Sequence, residues 1–277
     1  MESPRLLRVD SWKVWHHPEF DPRELMQRLQ PPGSQELPII ARFESLGQVS
    51  GYWKGAPLRL KTALRYQAKN RLLRRRHPRL SEFHNLRWLD ERLFAAPTPL
   101  AIGELRQRGL VRYQWLFTEK MPDRSPMSEV WADLDEDSRR RCILHLAAEV
   151  ARMHSLHFVH HDLFPRNLML SNNDALQPVA FLDAWAGGPG FCLRGPSYDI
   201  ACLALDWPAT WTREEQELFL ESYLEGRAAQ GKPIRRVSRW LRDVEGQRAA
   251  WVRKLEGSQR RRGGRPIPSA DWRAPLT

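Results

Sequence analysis

The sequence predicts an α+β chain of two lobes, a strand-rich N-lobe followed by a helical C-lobe. Three observations predict it: short apolar runs broken by turns fill the first part, helical periodicity dominates the second, and a linker with two prolines, MPDRSPM, separates them. The expected boundaries are 1–121 for the N-lobe, 122–256 for the C-lobe and 257–277 for a basic flexible tail, with a cleft between the lobes. With 277 residues, 42% hydrophobic and 28% charged, the chain can bury a sizeable core, which excludes wholesale disorder.

Residues 35–62 read as an antiparallel meander of LPIIARF, QVSGYW and LRLKT, with breaks at 45–47 and at the KGAP turn. Leu64, Ala68 and Leu72 then predict a helix from 64 to about 76, ended by His77-Pro78 because the residue before proline avoids helical dihedrals. Ser81 is the expected N-cap of a second helix, with Phe83, Leu86, Leu89 and Leu93 as its apolar stripe. LAIGEL and YQWLFTEK read as two more strands. Past the linker, Ile143, Leu146, Ala147, Val150 and Met153 mark one face of a helix over 138–157. Two short β runs follow, at 168–170 and 179–183, and the pattern is helical to about 255. From Gly257 onward glycine, proline and arginine predict loose order.

Lys plus Arg number 44 against 33 acids, and the net charge of +11 favours anionic partners. The acid-free segment RYQAKNRLLRRRHPR, at 65–79, is a candidate for docking on an anionic membrane or glycolipid surface, since guanidinium forks bind phosphate oxygens. No helix-turn-helix, zinc-finger or RNP signature accompanies the charge, so nucleic acid is the weakest of these partners. Three cysteines, Cys142, Cys192 and Cys202, show no CxxC or ligand spacing, which argues against structural zinc or a disulfide framework. The opening residues carry charges where a leader needs an apolar core, and no run reaches membrane-spanning length. The expected location is the cytoplasm, at most peripheral on the inner face of the membrane. The histidines at 154, 157, 160 and 161 lack a carboxylate or thiolate set and read as structural; the tryptophans read as core.

The chemistry concentrates in His160-His161-Asp162-Leu163-Phe164-Pro165-Arg166-Asn167, followed by Asp183 at the end of VAFLD. This reproduces, with one change, the phosphotransferase loop H-R-D-L-x-x-x-N and the metal-binding aspartate beyond it. A carboxylate at Asp162 can accept the proton of an acceptor hydroxyl. Asn167 and Asp183 supply oxygen ligands suited to Mg2+ against nucleotide phosphates, and His160 braces the loop. Such chemistry also needs a lysine on an N-lobe strand paired with a helix glutamate. Lys61 and Glu82 are chosen, with Lys54 set aside because it falls in the KGAP turn. After LFTEK, the main chain of Glu119 and Met121 is expected to meet the adenine.

With these residues assembled, the chain resembles the lipopolysaccharide core kinases, protein-kinase-like enzymes acting on heptose or Kdo sugars. The resemblance covers about 42–224 and rests on LRLKTALRY, the basic helix leading into SEFHNLRWL, LFTEKMPDRSPMSEV, HHDLFPRNLML with FLDAWAG, and SYDIACL. It implies a two-lobed protein-kinase-like fold, ATP and Mg2+ as cofactors, a glycolipid or sugar acceptor, and Asp199 as the helix aspartate holding the catalytic-loop backbone. Departures are Phe164, where many protein kinases have lysine, leaving phosphate charge to Arg166; a glycine loop reduced to Gly47 and Gly51; Ala184 and Trp185 after Asp183; and His161 in the arginine position. The short activation segment favours a small acceptor over a protein, and His161 argues against regulation by loop phosphorylation. A nucleotide-binding pseudokinase scaffold and a kinase for another small molecule remain the alternatives.

Overall fold

Alternation of small and aromatic residues with polar ones builds the sheet that carries the first half of the chain. The structure is a computed structural model, which describes residues 4–9, 12–29, 40–46, 49–73, 77–172, 177–190 and 194–262. It divides into two units, Met1–Pro122 and Asp123–Thr277. The first contains β1 (Arg5–Val9), β2 (Trp12–His16), α1 (Pro22–Leu29), β3 (Ile40–Leu46), β4 (Val49–Pro57), α2 (Leu60–Leu73), α3 (Pro78–Asp90), β5 (Pro99–Gln107) and β6 (Leu110–Glu119). Its six strands form one sheet in the order β1-β2-β5-β6-β4-β3, each neighbouring pair antiparallel.

One face of this sheet buries an aromatic core in which Trp53 and Trp115 stack with ring centroids 4.4 Å apart, together with Trp12, Phe117 and, from the α1 region, Phe20, Leu25 and Met26. The other face receives α3 through Phe83, Leu86 and Leu89. Gly103 of β5 lies where the Trp115 indole crosses, and a Cβ there would stand 2.1 Å from the indole nitrogen. Gly51, expected in a phosphate lid, is a β4 residue packed on Phe117, and Gly47 lies outside the described residues.

Two expectations for this unit need correction. KGAP is not a turn: β4 runs through it to Pro57, pairing with β6 from Gly51 opposite Glu119 to Pro57 opposite Tyr113. Burial alternates along it, with Gly51, Trp53 and Gly55 inward, which puts Lys54 on the opposite face. LRLKT is not a strand either. The Leu58 amide closes on the Arg112 carbonyl at 2.7 Å, after which α2 begins, so Lys61 sits exposed in a first helical turn. This helix buries Ala63 against Leu58 and Val111, while the expected stripe residues Leu64 and Ala68 face solvent. Helix α3 starts three residues before Ser81, with Pro78 in its first turn, where a missing N–H costs nothing. Strands β1 and β2 and helix α1 were not legible in the sequence.

The second unit contains β7 (Arg124–Pro126), α4 (Met127–Val130), α5 (Glu136–Ser155), β8 (Phe158–Val159), β9 (Leu168–Ser171), β10 (Ala180–Phe181), β11 (Gly188–Pro189), α6 (Pro196–Leu203), α7 (Trp207–Thr210), α8 (Arg213–Ala229) and α9 (Val237–Arg262). Helix α5 opens on an Asp135 cap whose carboxylate accepts from the Ser138 amide at 2.7 Å, and α8 on a Thr212/Glu215 capping box. These two helices pack on each other, and α6 packs on α9. Helix α9 passes through Gly257 to Arg262, so the break expected at 257 does not occur; 263–277 lie outside the described residues. Among the described residues no helix is long and apolar enough to cross a membrane.

The tightest test of this packing is Gly103→Ala. The strand is held between β2 and β6, so the added methyl must displace the Trp115 indole; the expected cost is about 1–3 kcal/mol, read as a lower urea midpoint at unchanged m-value.

Candidate active site

A proton acceptor must be held where an acceptor can reach it, and in the second unit a buried carboxylate does the holding. Asp199, in α6 and fully buried, accepts the backbone N–H of His160 at 2.6 Å and of His161 at 2.7 Å. His154 Nε2, at the end of α5, lies 3.1 Å from the same carboxylate, and its Nδ1 lies 2.8 Å from the Tyr223 hydroxyl of α8. An ionised carboxylate only accepts, so Nε2 carries the proton and Nδ1 accepts from Tyr223. Burial alone would raise the Asp199 pKa, but the His154 hydrogen bond and the loop N–H groups outweigh it and the net shift is downward. Burial lowers the His154 pKa from its ordinary 6.5, against the raising pull of Asp199.

Held this way, the loop turns sharply. His157, His161 and Asp183 all adopt left-handed backbone, with φ of 59°, 63° and 54°. Such conformations cost on the order of 1 kcal/mol each and persist where surrounding bonds fix them. The Asn167 side-chain N–H2 donates to the Asp162 carbonyl at 2.8 Å, and the Asn167 carbonyl accepts from Leu182 N–H at 2.8 Å, which draws Asp183 to the loop. Gly187 lets the following segment pass over the loop backbone, since a Cβ there would stand 1.7 Å from the Val159 carbonyl oxygen. Asp162, Asn167 and Asp183 are thus brought together.

The Asp162 carboxylate is 19% exposed and meets Arg166 Nη2 at 3.4 Å and Trp185 Nε1 at 3.3 Å. Both contacts lie at the long end of the hydrogen-bond range. Phe164 is buried against Trp251 of α9 at 5.4 Å, and the Arg166 guanidinium stacks 4.1 Å over its ring. Cation and ring together set Arg166 beside Asp162. The Asn167 amide nitrogen is committed to the loop; its oxygen and the Asp183 carboxylate are hard oxygen donors, of the chemical type Mg2+ takes alongside phosphates and water. The residues fit that ion. Among the described residues no cluster of three His, Cys, Asp or Glu side chains could hold a metal.

In the first unit the lysine paired with Glu82 is Lys54. Its Nζ lies 3.3 Å from Glu82 Oε1, and Glu82 is fully buried on α3. Lys61, the expected partner, is an exposed helix residue. The signal that could have found Lys54 is the alternation Gly51, Trp53, Gly55, which extends β4 past the lysine. A second cation went unrecognised: Arg79 donates to Glu82 Oε2 at 2.5 Å, at helical i,i+3 spacing. The Arg79 backbone N–H donates to Gln114 Oε1 at 3.3 Å, and Gln114 donates to Glu104 at 2.7 Å, tying α3 to the sheet through buried groups. Glu119 ends β6 exposed, its N–H given to the Thr98 carbonyl at 2.9 Å, and half-buried Met121 follows.

These residues can be set against known proteins. The sequence pattern of the lipopolysaccharide kinase (Kdo/WaaP) family matches residues 40–184, just over half of the chain. The chain belongs to that family. As a lipopolysaccharide kinase family member it is a phosphotransferase acting on a sugar hydroxyl. Lys54, Glu82, Asp162, Asn167 and Asp183 all fall inside the matched span; Asp199 lies beyond it. A solved structure, "WaaP in complex with acyl carrier protein", aligns at 20% identity and TM-score 0.56, over 86% of this chain and 92% of that one. That likeness shows the fold, which is the two-part protein-kinase-like architecture the sequence predicts. No curated protein matches the chain.

Burial of a neutral His154 is expected to make the protein acid-sensitive. Unfolded, its imidazole binds a proton as pH falls through 6.5; folded, it stays neutral until lower pH, so stability is lost as pH drops below 6.5. The expected contribution is a slope of about 1.4 kcal/mol per pH unit until the folded pKa is reached. Urea midpoints between pH 7.5 and 5.5 check it: His154→Gln should be less stable but should lose that one-proton slope, and an unaltered slope would contradict the assignment.

Proposed function

We propose that this protein transfers the γ-phosphoryl group of ATP to a sugar hydroxyl of the lipopolysaccharide inner core, on heptose or Kdo. The observation that carries the reading is the loop bearing Asp162 and Asn167, pinned by Asp199, with the segment before Asp183 tied to it through the Leu182 N–H. The acceptor oxygen forms the new P–O bond as the bond from the γ-phosphorus to the bridging oxygen breaks and ADP departs. The acceptor's proton passes to the Asp162 carboxylate. Magnesium, held by Asn167 Oδ1 and Asp183, would neutralise phosphate charge. Arg166 brings a cation next to Asp162, meeting the need that a lysine at position 164 serves in many protein kinases.

Lys54 is the residue proposed to bind the nucleotide's α and β phosphates, with buried Glu82 behind it, in place of Lys61. The carbonyl of Glu119 and the backbone of Met121 are the proposed adenine contacts. The acid-free segment at 65–79 is proposed to hold the enzyme on an anionic glycolipid or membrane surface by charge, which salt weakens. Its residues 74–76 lie outside the described residues.

Three substitutions separate these roles in an assay of ATP-dependent phosphate transfer to core glycolipid. Asp162→Asn is expected to lower kcat at least 100-fold with the fold intact, because the proton then has no acceptor. Lys54→Met should lower kcat/KM for ATP by about 100-fold or more, whereas Lys61→Met should stay within twofold of the parent. Full turnover in Asp162→Asn, or equal losses for the two lysines, would contradict the mechanism.

A further inference from the structure

The second unit carries an open pocket of about 440 Å3 where α6 begins beside α9, the size of a small polar ligand. Its cationic walls are Arg194 and Arg242, and a 2.8 Å hydrogen bond from Gln247 to Ser197 ties the two helices there. Gly195 and Gly246 also line it, and a Cβ at either would meet nothing within 4 Å, so the space stays clear. Asp243 is its one acid, against two guanidiniums. Among the described residues Arg242 has no carboxylate within ion-pair distance, although its face of α9 carries Glu245 and Glu256 as well as exposed Arg239 and Arg253.

Arg194 is placed rather than free. Its guanidinium stacks 4.7 Å over the Tyr198 ring and donates to the Tyr198 hydroxyl at 2.9 Å. Its carbonyl lies 2.6 Å from Nε2 of His161, the residue before Asp162. The Arg194 backbone is therefore tied by one hydrogen bond to the side chain of the residue that precedes Asp162. The pocket residues, between 194 and 247, lie beyond the span that the family pattern matches.

We infer that the Arg194/Arg242 pocket binds an oxyanion substituent of the glycolipid acceptor, a phosphate or a sugar carboxylate, and thereby orients the acceptor hydroxyl toward Asp162. Paired guanidinium forks are suited to such oxygens, and an anchor away from the reacting hydroxyl fixes which hydroxyl is presented. The inference rests on the kinase reading above and names the feature by which the acceptor is selected.

The test compares intact core glycolipid, the same glycolipid dephosphorylated with hydrogen fluoride, and a carboxyl-reduced form, using the full chain and its Arg194→Gln, Arg242→Gln and doubly substituted variants. Arg242 is exposed, so Arg242→Gln should keep the parent's urea midpoint; Arg194→Gln, which loses its contact with Tyr198, should lower the midpoint slightly with the fold intact. Each single substitution is expected to raise KM for the intact acceptor about tenfold and, because the hydroxyl is then less well presented, to lower kcat about tenfold, with KM for ATP unchanged. The treated glycolipid that raises the parent's KM, but not that of the double variant, identifies the anion as phosphate or carboxylate. If KM for all three acceptors is the same in parent and variants, the pocket inference is wrong. If the parent transfers phosphate to none of them, the kinase reading fails; calorimetric binding of intact glycolipid then decides the pocket, since only a bound anion makes affinity fall in the double variant.

Discussion

A carboxylate with no exposure to water organises the loop that carries Asp162 and Asn167. Desolvating Asp199 would cost several kcal/mol if it stood alone, and it is tolerated because two loop N–H groups and a histidine proton satisfy its oxygens. The same bonds fix the backbone at His160 and His161, immediately before Asp162, and sustain the left-handed turn at His161. Tyr223 closes the chain from behind, linking the loop to α8 and so to the packed pair α5 and α8. From there the amide of Asn167 and the Leu182 link carry the order on to Asp183. The geometry of the proposed base and of the proposed metal ligands therefore depends on an interaction that touches neither.

The first unit uses the same device. Glu82 is buried without exposure and is shared by Lys54 and Arg79, while Gln114 and Glu104 anchor the start of α3 to the sheet. A buried ion pair is weak evidence for stability, but removal of one member leaves a charge without compensation, so such a network resists rearrangement. It keeps the Lys54 ammonium on one face of β4 while Trp53 fills the other. The helix bearing Glu82 is fixed to the strands by polar groups as well as by Phe83, Leu86 and Leu89.

Phe164 shows how a departure from a motif is absorbed. It lies in an apolar cluster with Tyr198, Cys202 and Leu205 and is covered by Trp251, so a charged residue at that position would be buried. The positive charge appears two residues later, as Arg166 stacked on the phenyl ring and reaching Asp162. Helix α9, whose outward face is rich in arginine, supplies Trp251 on one side and the Arg242 wall of the pocket on another.

Part of this molecule was written locally. The loop that carries Asp162 and Asn167 was legible as a motif because its spacing is a short-range property, and β5, β6 and α5 because their apolar periods are carried within single segments. The lysine was not. Lys54 and Glu82 are 28 residues apart, and the choice between Lys54 and Lys61 turns on whether KGAP bends or stays extended. That is settled by β6, whose backbone offers Gly55, Ala56 and Pro57 partners in the ladder, and no residue of KGAP encodes it. Nor could the sequence name Arg79 or His154 as supports of buried carboxylates, or bring Arg194 and Arg242 to one pocket. The chain alone determined which chemistry is present. Only the tertiary structure decided which charges meet, because burial and pairing are properties of distant segments brought together.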